Sequence, residues 1–291
     1  MRFFYVLFLS IFLSHSLFAA DFYDLRTRPK LKNPIVLVHG ATLGGARLKI
    51  GPFDLGDYFQ GIPEYLGQTG TKVYVVELPT DATIAERAYA LKQYLETDVK
   101  GVPVNIVAHS LGGLDARYLA SIMKYPAVKS ITSIATPHRG SPLADWAMNQ
   151  IATNGIWYQF FKLLGYDFNG RRFLPQLTTE YMRDAFNPRV LDNPAVKYFS
   201  VVAWIDNKFA MPSLALLPPK YFLEHEDGAM SHEPNDGLVP KSSQPWGTVI
   251  YETPLDHMGQ INHHFLRWPP KINQSLSIYF QIYQKLLDEG L

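Results

Sequence analysis

From about residue 33 onward, short apolar runs alternate with stretches of helical periodicity, and this alternation leaves the chain few architectures. Ile35–Val38, directly after Pro34, has the pattern of a buried strand, and Lys72–Leu78, Pro103–Val107, Lys129–Ala135, Lys197–Trp204 and Thr248–Tyr251 repeat it. Between them, Ile84, Ala88, Leu91 and Leu95 fall at i, i+4, i+7 and i+11 and share one helix face. Gly113–Lys124 reads as a helix leaving the third run, and Leu276, Tyr279, Phe280, Tyr283, Leu286 and Leu287 form a helical stripe near the C-terminus. Strands alternating with helices imply an α/β fold with a mostly parallel central sheet and helices on both faces. In such sheets the reactive groups sit on loops beyond the carboxyl ends of the strands.

The composition supports a large core. Apolar residues make up 47% of the 291 and charged residues 18%, which excludes general disorder. Net charge is +1 and no basic cluster occurs, so no nucleic-acid partner is expected. The absence of cysteine excludes disulfides and thiol chemistry. Aromatic residues reach 14%, which fits a large core or an apolar surface for lipid.

The N-terminus reads as a targeting segment. Met1-Arg2 precedes an apolar run, Phe3–Leu13, then Ser14–Ala20 and the polar Asp21. A basic start, an apolar run too short for a membrane span and small residues before a polar switch describe an export signal. Residues 1–20 are therefore expected to be a signal peptide and 21–291 a single domain, periplasmic or extracellular; an uncleaved signal would instead tether the protein to a membrane. One long stretch, about 141–195, holds no strand pattern and crowds Ile151, Ile156, Trp157, Phe160, Phe161, Leu163 and Leu164 together. Insertions of that length in a regular α/β chain are usually functional, and it is read as a cap or lid.

The chemistry concentrates at Ala108-His109-Ser110-Leu111-Gly112-Gly113, between an apolar strand and a helix. A sharp strand-to-helix turn exposes the Ser hydroxyl, and small residues two before and two after it let strand and helix pass closely. Ser110 is thus the candidate nucleophile. It needs a base, and the base an orienting carboxylate, in the chain order Ser, acid, His. His257 follows the last strand across a short loop and is the candidate base; His138 is the runner-up, and His263 and His264 are read as solvated or structural. Asp236, in the turn Asn235-Asp236-Gly237, is the candidate acid, with Asp206 at the mouth of the fifth strand its competitor. Acyl transfer also requires donors for an oxyanion. The backbone N–H groups of Leu111 and of Ala41, after Val38-His39-Gly40, are the candidates, with His39 as hydrogen-bonded support.

These motifs resemble those of the bacterial secreted triacylglycerol lipases of the Pseudomonas and Burkholderia type, within the α/β-hydrolase superfamily. The resemblance runs through Pro34–Gly40, Asp57–Pro63, Val73-Tyr74-Val75, the elbow, Thr136–Ser141 with Ala144-Asp145, Asn235–Val239 and Leu255-Asp256-His257, in order and at similar spacing from about residue 33 to 264. It implies the α/β-hydrolase fold, a triad of Ser110, Asp236 and His257, an oxyanion hole at Ala41 and Leu111, and a lid after Ser141. The chain departs from that family in two respects. The family's calcium site has an Asp two residues after the catalytic His, where this chain has Gly259, and a hard cation needs charged oxygen ligands. The disulfide many members carry is impossible here. No metal and no cofactor are therefore expected. The expected substrate is a lipid ester at a lipid–water interface, and no protein partner is indicated. The same triad also serves phospholipases, thioesterases and acyltransferases, and the scaffold can serve a non-catalytic binding protein.

Overall fold

The computed structural model describes residues 23–41, 45–50, 53–155, 159, 171–205, 233–264 and 272–291. The first 20 residues, Asp206, His225, His232 and much of the expected cap, including Ile156, Trp157 and residues 160–164, lie outside them.

Six strands form the central sheet: β1 (Ile35–Val38), β4 (Val73–Val76), β5 (Val104–His109), β6 (Val128–Ile134), β7 (Lys197–Ala203) and β8 (Thr248–Thr253). Their order is β4-β1-β5-β6-β7-β8, and every neighbouring pair is parallel. The apolar runs are continuous because both faces are covered. Along β1, Ile35 and Leu37 enter one core while Val36 and Val38 enter the other. A second, two-stranded sheet follows β1: the antiparallel β2 (Arg47–Ile50) and β3 (Phe53–Asp57), which the sequence reading did not anticipate. Arg47 ties it to Asp54 and Asp57 at 3.0 and 3.2 Å.

The helices are α1 (Ile62–Gly67), α2 (Ile84–Thr97), α3 (Gly112–Ser121), α4 (Pro142–Ala152) and α5 (Ile272–Asp288). Thr83 opens α2 with a capping box, its hydroxyl accepting from the Glu86 amide while the Glu86 carboxylate accepts from that of Thr83. The stripe of Ile84, Ala88, Leu91 and Leu95 is buried, as its spacing requires. On α5 the buried set is Ile278, Tyr279, Ile282, Tyr283 and Leu286, while Leu276, Phe280 and Leu287 pack only partly. The apolar face is therefore turned slightly from the expected stripe. From Ala135 to Val196 no described residue is in a strand; α4, a 3-10 turn at Leu174–Leu177 and short helical turns at Thr179–Tyr181 and Met182–Phe186 occupy it.

The Tyr283 hydroxyl, in the core, reaches Pro29 O at 2.9 Å, Thr69 Oγ1 at 2.8 Å and Thr71 Oγ1 at 2.6 Å, and so pins α5 to the N-terminal segment and to the loop before β4. Tyr283→Phe keeps the ring and leaves Pro29 O and the Thr71 hydroxyl without this partner. It should cost about 1–3 kcal/mol in denaturant unfolding, the scale for buried polar groups left unpaired; an unchanged midpoint would contradict this docking role.

Candidate active site

β5 ends at His109, Ser110 follows, and α3 starts at Gly112. Ser110 has φ 56°, a left-handed value for a residue with a Cβ. Such a conformation costs about 1–3 kcal/mol and persists only where surroundings impose it. They do so here: the Ser110 N–H donates to Ile134 O at 2.9 Å, and Ser110 O accepts from Gly113 N at 3.1 Å and Thr136 Oγ1 at 2.7 Å. The glycines around it are required. A Cβ at Gly112 would lie 2.7 Å from Val38 O and 2.8 Å from His39 O, and one at Gly40 would lie 2.6 Å from Ser110 Cβ. The loop after β1 therefore rests directly on the nucleophile turn.

That loop is held by buried polar groups. Leu78 N–H donates to His39 Nε2 at 2.9 Å, so the ring proton is on Nδ1, which donates to Gly40 O at 2.8 Å. Burial, with the Arg87 charge nearby, lowers His39 to about 3 and keeps it neutral. Arg87 of α2 is fully buried, and its guanidinium donates to His39 O, Pro79 O and Asp115 Oδ2, each at 2.8 Å. Burial raises Asp115 to about 7 against the opposing pull of Arg87. In a trans peptide the C=O and the next N–H point in opposite directions. Holding Gly40 O toward His39 and Arg87 therefore turns the Ala41 N–H the other way. Leu111 N–H stands at the N-terminal end of α3, where a helix is most positive. Among the described residues neither N–H donates to a protein acceptor.

Asp236 is fully buried in the turn after β7. Its Oδ1 accepts from Leu238 N at 3.0 Å and Val239 N at 2.8 Å; its Oδ2 accepts from His257 Nδ1 at 2.7 Å and Gln260 Nε2 at 3.0 Å. A carboxylate only accepts, so His257 carries its proton on Nδ1 and keeps a lone pair on Nε2. The backbone reinforces the pairing, since His257 N–H donates to Asp236 O at 2.9 Å. The His257 ring lies 4.4 Å, centroid to centroid, from His109, the neighbour of Ser110. The structure thus gathers Ser110, Asp236, His257, Leu111 and Ala41 at the carboxyl ends of β1, β5, β7 and β8. Asp206, the competing acid, lies outside the described residues.

His138 is brought elsewhere. It is buried, with Nδ1 facing Arg117 Nη1 at 3.3 Å and Nε2 on Ser133 Oγ at 2.9 Å. A guanidinium only donates, so Nε2 is the protonated nitrogen and gives its proton toward Ser133, the reverse of a base. His263 is also buried, bonded to Asp57 O at 2.9 Å. Arg87 and Gln260 were missed in the sequence. Arg87 did leave a signal: it falls three residues after Ile84, on the apolar face of its helix.

The α/β hydrolase family model matches residues 35–266. The chain belongs to that family. Within it, this hydrolase is similar to the triacylglycerol lipase of Pseudomonas fragi, with 31% identity over 294 residues covering 89% of this chain and 97% of the relative. It is also 33% identical over 235 residues to triacylglycerol lipase 2 of Saccharomyces cerevisiae, covering 77% and 67%. Its fold is that of the Staphylococcus hyicus lipase, with TM-score 0.66 at 20% identity, covering 90% of this hydrolase and 97% of that chain. Among the described residues of the hydrolase no cluster of three or more acidic, His or Cys side chains stands ready for a metal.

Arg87→Met removes the brace on the loop of Ala41 and leaves the buried Asp115 carboxyl without its partner. It should destabilise by about 3–5 kcal/mol. Replacing both partners, Arg87→Met with Asp115→Leu, should recover most of that loss, because the stranded carboxyl is gone. Ester turnover should stay about 10²-fold low in the double variant, since the carbonyl of His39 remains unanchored and Gly40 O is held by His39 alone. Denaturant unfolding beside turnover separates the two effects; full recovery of turnover would contradict the bracing role.

Proposed function

We propose that this hydrolase cleaves carboxylic esters of lipids, triacylglycerols foremost, through an acyl-enzyme on Ser110. The observation that carries the reading is the 2.7 Å Asp236–His257 pair set beside the strained Ser110 turn. His257 Nε2 takes the Ser110 proton as Oγ attacks the ester carbonyl. The oxyanion that forms faces the N–H groups of Leu111 and Ala41. His257 then gives the proton to the departing alcohol, and water, deprotonated by the same imidazole, releases the fatty acid and restores Ser110. Asp236 keeps the ring in the required tautomer and stabilises its charged form.

The lipid substrate is supported by the lipase relatives and by the apolar segment 141–195, read as a cap. Met182, Phe186 and Val190 from that segment pack with Leu111 and Leu114 at the start of α3, against the nucleophile turn. A cap that opens at a lipid surface fits insoluble esters. The pattern of residues 1–20 supports export before activity, and N-terminal sequencing of the released protein should begin at Ala20 or Asp21.

An ester series of rising acyl length, assayed with and without an emulsion, tests the substrate reading. Turnover of long-chain triacylglycerol should rise when an interface is present; activity confined to short soluble esters, with no such rise, would contradict it. In the same assay Asp236→Asn should lower kcat by about 10⁴-fold, as loss of a triad acid does. Asp206→Asn should stay near wild type, and the reverse ranking would transfer the acid role.

A further inference from the structure

We infer that Gln260 is a positioning residue: its side-chain amide locks the Asp236 carboxylate to His109 and, through Tyr58, to the loop that carries Ala41. The inference rests on the triad reading above and adds a residue that reading does not contain.

Gln260 is fully buried on the turn Gly259–Ile261, three residues after His257. Its backbone is fixed, the N–H donating to Asp256 O at 3.2 Å and the carbonyl accepting from Tyr279 Oη at 3.0 Å. Its side chain bridges Asp236 Oδ2 at 3.0 Å and His109 Nε2 at 3.2 Å. The carboxylate accepts only, so the amide nitrogen faces Asp236 and the amide oxygen faces His109. His109 must then carry its proton on Nε2, which leaves Nδ1 to accept from Tyr58 Oη at 2.7 Å. The Tyr58 hydroxyl in turn lies against Gly40, where an added Cβ would come within 2.9 Å of it. Every proton in this chain points one way, from Tyr58 through His109 and Gln260 to Asp236. The chain is directional only while His109 is neutral. Burial first, and His257 beside it second, hold its ring well below the ordinary histidine range.

The arrangement has two consequences. Gln260 donates to the same carboxylate oxygen that His257 uses, so it fixes the orientation of that oxygen and tempers its basicity toward the imidazole. It also joins the acid, the residue before the nucleophile and the oxyanion loop into one buried unit. The titratable groups facing it are Asp236 and His257 after β7 and β8, His109 at the end of β5, Tyr58 after β3 and Tyr279 on α5. Arg87 of α2 is the cation behind Tyr58.

The test measures kcat, KM and the pH dependence of kcat/KM on a soluble ester for wild type, Gln260→Met and Gln260→Asn, with Ser110→Ala as control. Gln260→Met keeps the bulk and loses both bonds; kcat should fall about 10–100-fold with KM nearly unchanged, the signature of interactions made in the transition state. Without the Gln260 donor Asp236 is more basic, favours the imidazolium, and should move the acidic limb upward by about half a pH unit or more. Gln260→Asn keeps an amide one methylene too short to span Asp236 and His109, and should lower kcat and move that limb in the same direction by less. A purely structural glutamine would lower the unfolding midpoint and leave the limb in place. If either folded variant keeps the wild-type limb and kcat within about twofold, the inference is overturned. Should Gln260→Met not fold, Gln260→Asn decides alone. Turnover retained in Ser110→Ala would instead overturn the triad reading and this inference with it.

Discussion

Three backbone segments converge on Ser110 with no room for a Cβ between them, and the site depends on that convergence. β1 and β5 pair in parallel so that Val38 stands opposite Ala108, which brings both strands to an end at the same height. Gly112 then starts α3 against the carbonyls of Val38 and His39, and Gly40 lies on Ser110 itself. The left-handed turn at Ser110 is affordable because the hydrogen bonds from Ser110 N–H and to Ser110 O are satisfied by neighbouring strands and by Thr136. A nucleophile presented this way needs no rearrangement of its own turn. Its position follows from sheet register and from two glycines.

Around this turn the protein uses buried polar groups as braces, each with a role set by what its partner can accept or donate. Arg87 holds carbonyls, which aims the following amides outward. His39 and His109 serve as neutral relays between backbone and side chains. Asp236 takes four donors, two from backbone and two from side chains, so its charge is stabilised where solvent does not reach. A second buried network, of Arg117, His138 and Ser133, resembles a catalytic pair in composition only. Arg117 lies 3.5 Å over the Trp246 ring and turns the His138 lone pair toward itself, leaving no base for Ser133.

Much of this was legible in the sequence, and the limits follow from range. The six strands were readable because uniformly apolar runs bounded by turn residues have few other uses, and α2 because its stripe keeps a strict period. Ser110, Asp236 and His257 were placed by chain order relative to those strands. The β2–β3 hairpin was hidden because Arg47, Asp54 and Asp57 give it no clean alternation, and exposed charges face each other across the paired strands. Gln260 had no local signal at all. Its importance arises from partners 24 and 151 residues away in the chain, which only folding brings together. Chain order favoured Asp236 over Asp206, and the hydrogen bond of Asp236 to His257 accords with that choice, Asp206 lying outside the described residues.

The most direct measurement of the central claim is the site of covalent capture by a fluorophosphonate ester. Peptide mass spectrometry of the inhibited protein should find one adduct per chain, on the peptide containing Ser110, with loss of ester hydrolysis in proportion to labelling. An adduct confined to another residue, or intact labelling resistance alongside full ester turnover, would contradict the account.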